Sequence, residues 1–242
     1  NTVTISGYAS RNTALFGLVE TDSSPHDHWS IGLRGEHRRS SYTDTVTDFI
    51  GATVNPHAFT PGENLWGGHV SFTHDLGPGR SAYLTLSRGY KAGGFNLSAG
   101  LPSAELSFRS ETDWNAEIGF KSHRPNSVLA IDLDAFVVRR VDAQIKSSVQ
   151  VDPNNPNTFI FYTGNADRGL NYGLEAALAI QLGEHLSLGA NLGLLNTSFS
   201  EAVPVGDSGM ITVSRELANA PHATGSLNAT WRDQRGLYAR LD

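Results

Sequence analysis

Cysteine is absent from the 242 residues, methionine occurs once, at Met210, and three lysines stand against fifteen arginines. Without cysteine there is no disulfide scaffold, no thiolate zinc site and no cysteine nucleophile. Long apolar runs are missing too. The longest aliphatic stretch, Ala176 to Ile180, has five residues, against the roughly 20 that a membrane-spanning helix needs. A helical membrane protein is therefore excluded. A concentrated basic face is also lacking: net charge is −6 and the arginines are scattered, which argues against a nucleic-acid binder. With 39% hydrophobic residues and a mean hydropathy of −0.26 the composition resembles that of an ordinary soluble protein. The chain opens at Asn1 and its one methionine is Met210, so neither a translational start nor a signal peptide is expected at this end. The final residues, GLYARLD, read as a strand cut short, so the chain is expected to be a processed or excised piece of something longer.

What is present is alternation with a period of two. Trp29, Ile31 and Leu33 alternate with Ser30, Gly32 and Arg34. Trp114, Ala116, Ile118 and Phe120 alternate with Asn115, Glu117 and Gly119. The same pattern runs through 128–138, 170–182 and 186–194, and more weakly through 13–20, 66–76, 81–90, 223–231 and 236–242. Successive side chains of a strand point to opposite faces, so each segment has one apolar and one polar face. No segment of comparable length favours helical spacing. The expected fold is all-β.

The connections then narrow the architecture. Short ones fall at 22–27, 77–80, 122–127, 183–185 and 232–235, and long ones at 39–64, 91–110, 142–165 and 199–222. Short and long alternate through ten strands, which places every tight turn at one end and every long loop at the other. That is the plan of an antiparallel up-and-down transmembrane β-barrel with short periplasmic turns and long extracellular loops. A soluble β-sandwich shows similar alternation, but its strands run about 5–6 residues, whereas about 9–11 are needed to span a bilayer. On the apolar faces of the five best strands, none of 27 positions is Asp, Glu, Lys or Arg, in a chain that is 17% charged. Charge exclusion is expected where a charge facing mid-bilayer lipid costs roughly 2–4 kcal/mol. A sandwich core would exclude charge as well. The aromatics separate the two readings. Trp29, Phe120 and Trp231 sit at the turn ends of the apolar faces, and Trp66, Trp114 and Tyr172 toward the loop ends. Two aromatic belts around an aliphatic band mark a surface that meets lipid.

Four stretches in order, SRGYKAGGFN (87–96), ETDWNAEIGFKS (111–122), NYGLEAALAIQL (171–182) and LANAPHATGSLNATW (217–231), resemble the C-terminal half of the barrel of TonB-dependent outer-membrane receptors, with TALFGLVE (13–20) matching a strand that precedes it. The resemblance implies a bacterial outer-membrane location and a barrel of about 22 strands plugged by an N-terminal domain. On that reading residues 1–242 form a partial barrel domain lacking the plug and unable to transport alone. The function implied is TonB-energised uptake of a scarce nutrient such as an iron–siderophore complex, cobalamin or a carbohydrate. The partners implied are outer-membrane lipid and lipopolysaccharide, a small-molecule ligand such as a metal chelate, and TonB through the missing plug region. No cofactor, no resident metal and no nucleic acid is expected.

Chemical constellations are sparse. Asp132 and Asp134 share a strand face about 7 Å apart and could do acid–base work, but lumen-facing carboxylates are common in barrels. His26 and His28 flank Asp27 in a turn, and His69 and His74 share a strand; neither set has a third ligand. Loop 152–157, DPNNPN, offers oxygen donors for calcium, though turn-forming residues explain it equally. Two alternatives stay open at this point: an outer-membrane protease or phospholipase on a closed ten-stranded barrel, and a passive porin. No catalytic residues are assigned. Ligand selectivity is expected at the loop ends, where aromatic and polar groups project from a rigid scaffold into an aqueous mouth. The candidates are Arg38, Tyr90, Phe95, Arg140, Tyr162 and Asn165.

Overall fold

The computed structural model describes residues 3–47, 53–97, 101–150, 152, 154–155, 157–205 and 209–242. The strands are β1 (Val3–Ser24), β2 (Asp27–Thr47), β3 (Thr53–Phe59), β4 (Gly62–Gly77), β5 (Arg80–Lys91), β6 (Gly94–Phe95), β7 (Ser107–Phe108), β8 (Glu111–Ser122), β9 (Leu129–Gln150), β10 (Phe159–Leu182), β11 (Leu186–Val205), β12 (Gly209–Arg215), β13 (Ala223–Arg232) and β14 (Tyr238–Leu241). A single 3₁₀ turn spans Ser103–Glu105. Ten of the strands form one antiparallel wall in chain order, β1-β2-β4-β5-β8-β9-β10-β11-β13-β14. These are the ten strands legible in the sequence. The remaining strands ornament the long loops: β3 pairs with β2, β12 with β11, and β6 with β7.

Several wall strands far outrun the ten-residue segments that alternation marks. β10 has 24 residues and β9 has 22, so segments such as 142–150 and 159–165, expected as loop, are paired strand. Beyond the bilayer water replaces lipid, and the apolar–polar contrast that reveals a strand in sequence fades while the hydrogen-bond ladder continues.

Register fixes which side chains share a face. One row runs Ile31–Val70–Leu86–Ala116–Val137–Tyr172 across six strands. The next row, on the opposite face, runs Ser30–Ser71–Thr85–Glu117–Phe136–Gly173. The apolar sets of separate strands therefore merge into one continuous band. Within it Leu33, Leu86, Ile118, Leu174 and Leu192 are all at least half exposed, an arrangement that calls for lipid rather than water. On the polar face the Tyr83 hydroxyl donates to Glu117 and Asp134, and Ser71 bonds Thr85 at 2.8 Å.

The tight turns are stitched by local polar contacts. His74 meets Asp27 at 2.6 Å, and His28 bridges Asp22 at 2.6 Å and Asp75 at 3.2 Å. Gly79 takes a φ of 65° in the 77–80 turn, and a Cβ there would strike the His123 carbonyl; no other residue fits both demands. Among the described residues β1 and β14 are not paired, so the wall is open, with a 22-residue strand at one edge and a four-residue strand at the other.

Candidate functional site

The buried side chains gather at the long-loop end rather than in the wall. Tyr42, Leu65, Leu101, Leu106, Ala143, Ile145 and Ala166 are all nearly inaccessible. They surround the connection between β5 and β8, which folds back against the polar face as a bridge between β2 and the upper halves of β9 and β10.

At one end of this bridge Phe95 stacks on Tyr42, with centroids 5.0 Å apart and planes 14° apart, and on Phe59 at 5.8 Å. Tyr8 meets Phe95 edge-on at 6.2 Å. Arg38 closes the same end. Its guanidinium donates to the Gly93 carbonyl at 2.8 Å, Glu63 at 3.1 Å, Ser10 at 3.1 Å and the Tyr8 hydroxyl at 2.5 Å. The Gly-Gly pair in SRGYKAGGFN has a steric reason here, because a Cβ on Gly94 would lie 2.5 Å from the Phe108 ring.

At the other end three amides clamp the loop. Asn96 donates to the Glu105 and Thr163 carbonyls at 2.7 and 2.8 Å and accepts from the Thr163 N–H at 2.8 Å. Gln144 donates to the carbonyls of Ala92 and Arg109 at 2.9 and 3.0 Å. Asn165 accepts from the Arg109 N–H at 2.7 Å and donates to the Asp142 carbonyl at 2.7 Å. Beneath them Arg140 is held by the buried Glu111 at 2.6 Å, and the same carboxylate accepts the Gln144 N–H at 2.6 Å.

Two phenols and a carboxylate respond to this packing. Burial, then the hydrogen bond to Asp44, pushes the Tyr42 hydroxyl up to about 12, so it stays neutral and donates at 2.9 Å. Burial acts to raise Asp44, but bonds from the His57 side chain and N–H and from Tyr42 outweigh it and hold the carboxyl below its ordinary value. Burial, with Glu105 and Glu201 nearby, pushes Tyr162 up.

Of the six residues expected at the site, Arg38, Phe95, Arg140 and Asn165 are gathered around the bridge, with Tyr162 beside its 3₁₀ turn. Tyr90 stands apart on β5. Its ring lies over Gly67, and its hydroxyl donates to Glu36 and accepts from Arg34, each at 3.0 Å. Arg38, Arg140 and Asn165 spend their polar groups on the protein itself. Between bridge and wall lies a cavity of about 470 Å³, lined by Phe59, Glu63, Phe95, Phe108, Arg109 and Asp142. Sequence reasoning missed Arg109, whose side chain is 67% exposed and pairs with Asp142 at 2.6 Å, and Phe59 and Phe108. Nothing in the local pattern marks them, since they converge only through the folding of two separate loops. The possible calcium loop 152–157 falls partly outside the described residues. Those that are described form a turn, in which Asp152 Oδ1 accepts the Asn154 N–H.

An antiparallel up-and-down sheet with a continuous apolar outer band, a polar inner face, tight turns at one end and long structured loops at the other is the wall of a bacterial outer-membrane β-barrel. Residues 1–241 match the family described as TonB dependent receptor-like, beta-barrel, and the chain belongs to that family. It is thus a stretch of the β-barrel wall of a bacterial outer-membrane protein of that family. Among solved structures it is similar to the ferric yersiniabactin uptake receptor FyuA from Yersinia pestis, with a TM-score of 0.74 and 15% identity, over 96% of this chain and 33% of that one. It is also similar to the siderophore receptor PiuA from Acinetobacter baumannii, with a TM-score of 0.65 and 14% identity, over 93% of this chain and 31% of that one. A third similar structure is the copper transporter OprC, with a TM-score of 0.64 and 16% identity, over 94% of this chain and 41% of that one. The chain spans about a third of the length of the first two of these structures.

Proposed function

We propose that residues 1–242 are a partial barrel domain of a receptor for TonB-energised uptake of a scarce nutrient, with an iron–siderophore chelate as the best-supported cargo. The observation that carries the reading is the cavity at the extracellular mouth. Three phenylalanines supply apolar surface, and Arg109 supplies an accessible planar cation suited to anionic oxygens on a chelate. Structures sharing this wall include receptors for ferric yersiniabactin and other siderophores, and a copper transporter keeps the cargo class broader than iron. Coupling to TonB belongs to a plug region outside these residues. The wall contributes the mouth: Phe59, Phe95, Phe108 and Arg109 contact ligand, while Arg38, Arg140, Asn165 and Tyr162 hold the bridge that presents them.

The test is growth and radiolabelled-iron uptake under iron limitation, by cells whose only copy of the full-length protein carries Arg109→Ala with Phe95→Ala. Loss of uptake at normal surface expression supports the reading. Unchanged uptake and affinity across a panel of ferric siderophores would place ligand recognition elsewhere and reduce this segment to wall.

A further inference from the structure

Arginines on the two faces of the wall are treated differently. On the inner face and under the loops they are matched with carboxylates: Arg34 with Glu36 at 2.6 Å, Arg38 with Glu63 at 3.1 Å, Arg140 with Glu111 at 2.6 Å, and Arg109 with Asp142 at 2.6 Å. On the outer face, toward the loop ends, Arg88, Arg139 and Arg168 have no carboxylate within 4.0 Å among the described residues.

Two of these arginines flank one aromatic, and the third lies beyond them on the next strand. Register pairs Arg88 with Trp114 and Trp114 with Arg139. Arg139 in turn pairs with Leu170, two residues from Arg168, so Arg139 and Arg168 are diagonal neighbours on the same face. Neighbouring strands lie about 4.8 Å apart, which puts the backbones of Arg88 and Arg139 about 10 Å apart on either side of Trp114. Arg88 is preset: its guanidinium carbon lies 3.9 Å from the Trp66 ring centroid and 5.7 Å from that of Trp114. It donates to the Trp66 carbonyl and to Thr112 Oγ1 at 3.2 Å. A guanidinium has five donors, and these bonds use two of them, so further N–H groups are left for another acceptor. The outer face repeats the pattern nearby, where Arg11 and Arg39 are direct cross-strand partners, again without a carboxylate partner among the described residues.

We propose that the outer rim around Trp114 binds a phosphate-bearing lipid headgroup of the outer leaflet, held by Arg88, Arg139 and Arg168. Like charges on neighbouring strands repel, and cations beside hydrocarbon are costly, so the cluster is favourable only where an anion sits among them. A phosphate suits it in charge and in geometry, because each arginine fork can engage two of its oxygens. Tryptophan belongs at the headgroup level, which sets the depth of the site. The occupant is a lipid rather than a soluble ion because the apolar band continues directly below, through Ala116, Val137 and Leu174, where acyl chains lie.

The full-length protein containing this chain, purified in detergent, is offered diphosphorylated lipid A, its dephosphorylated counterpart or inorganic phosphate, and bound lipid is counted by native mass spectrometry. The diphosphorylated lipid is expected to be retained, and Arg88→Gln/Arg139→Gln/Arg168→Gln to lower that retention by about tenfold or more. Arg80→Gln/Arg124→Gln, which removes unmatched arginines from the opposite end of the wall, is expected to leave it unchanged. Equal retention by the triple variant, equal loss in the control, or equal binding of dephosphorylated lipid would overturn the proposal. Displacement by an equimolar amount of inorganic phosphate would also overturn it, by showing a site for the free anion. Heat-modifiable migration reports folding. Should the triple variant fail to fold, Arg139→Gln alone, at an exposed position, is expected to lose about threefold, and no loss would refute the assignment.

Discussion

Arg140→Ala removes the cation held against Glu111, whose side chain is only 3% exposed. In the native protein that carboxylate accepts from Arg140 and from the Gln144 N–H, all at 2.6 Å, and Gln144 in turn grips the loop through the Ala92 and Arg109 carbonyls. Breaking one partner of a buried pair leaves an uncompensated charge and costs about 3–5 kcal/mol. Opening the bridge lets water reach Glu111, so the cost falls on the closed loop rather than on the wall beneath it. At 1.4 kcal/mol per decade, the open fraction of residues 92–110 should rise by roughly a hundredfold to a few thousandfold, up to the limit set by the loop's own closing free energy. Hydrogen–deuterium exchange of peptides from that loop, in the full-length protein in detergent, measures this directly, with peptides from β4 and β5 as the unchanged reference. Arg140→Met/Glu111→Gln should restore part of the protection, because the buried Glu111 charge is then gone and only the more exposed Asp113, 3.7 Å from the Arg140 guanidinium, loses a partner. If the single variant exchanges like the wild type, or the double variant exchanges as fast as the single, Arg140 is not the prop of the bridge.

Leu133→Arg and Leu178→Arg place a charge on the lipid face at about 2–4 kcal/mol each and should impair assembly, whereas Gln181→Arg on the inner face should be tolerated; heat-modifiable migration separates them. Tags in 39–64, 142–165 and 199–222 should be reachable from outside intact cells, while those in 77–80 and 232–235 should not, and labelling of the tight turns in unbroken cells would reverse the topology. Gly94→Val drives a side chain into the Phe108 ring and should destabilise the bridge by about 1–3 kcal/mol, read as faster exchange at 94–108. Asp44 is held below its ordinary value of 3.8, so its grip on His57 is complete above that pH and is lost as pH falls through its native value. Protection of 53–59, corrected for intrinsic exchange rate, should therefore drop in acid, and Asp44→Asn should flatten the dependence.

The wall was legible because lipid and water impose opposite demands on alternate residues. Trp29, Ile31, Leu33 and Trp114, Ala116, Ile118 announce both strand and face, and register confirms that they meet across β4 and β5. The loop ends were half legible. Arg38, Phe95 and Asn165 stand out as an arginine, an aromatic and an amide at strand ends, yet composition cannot tell an arginine offered to a ligand from one consumed by Glu63 and the Gly93 carbonyl. Arg109 and Phe108 lie in a stretch without periodicity, and only the clamps from Gln144 and Asn165 turn them toward a common cavity. β3 and β12 went unseen because each is only seven residues long and neither carries a long run of apolar–polar alternation.

The free edge of β1 bears on how the wall enters a membrane. β1 presents 22 residues along its outer edge, and among the described residues none of them has a partner on that side. On an antiparallel edge about half of the backbone N–H and C=O groups point away from the sheet. In hydrocarbon each unsatisfied group costs several kcal/mol, so a spanning stretch of about ten residues would carry a penalty of tens of kcal/mol. The apolar band therefore cannot meet acyl chains while the β1 seam is bare. Sealing that seam with further strands and entering the bilayer are thermodynamically a single event, and a folding intermediate with its outer face in lipid must have something else lying along β1.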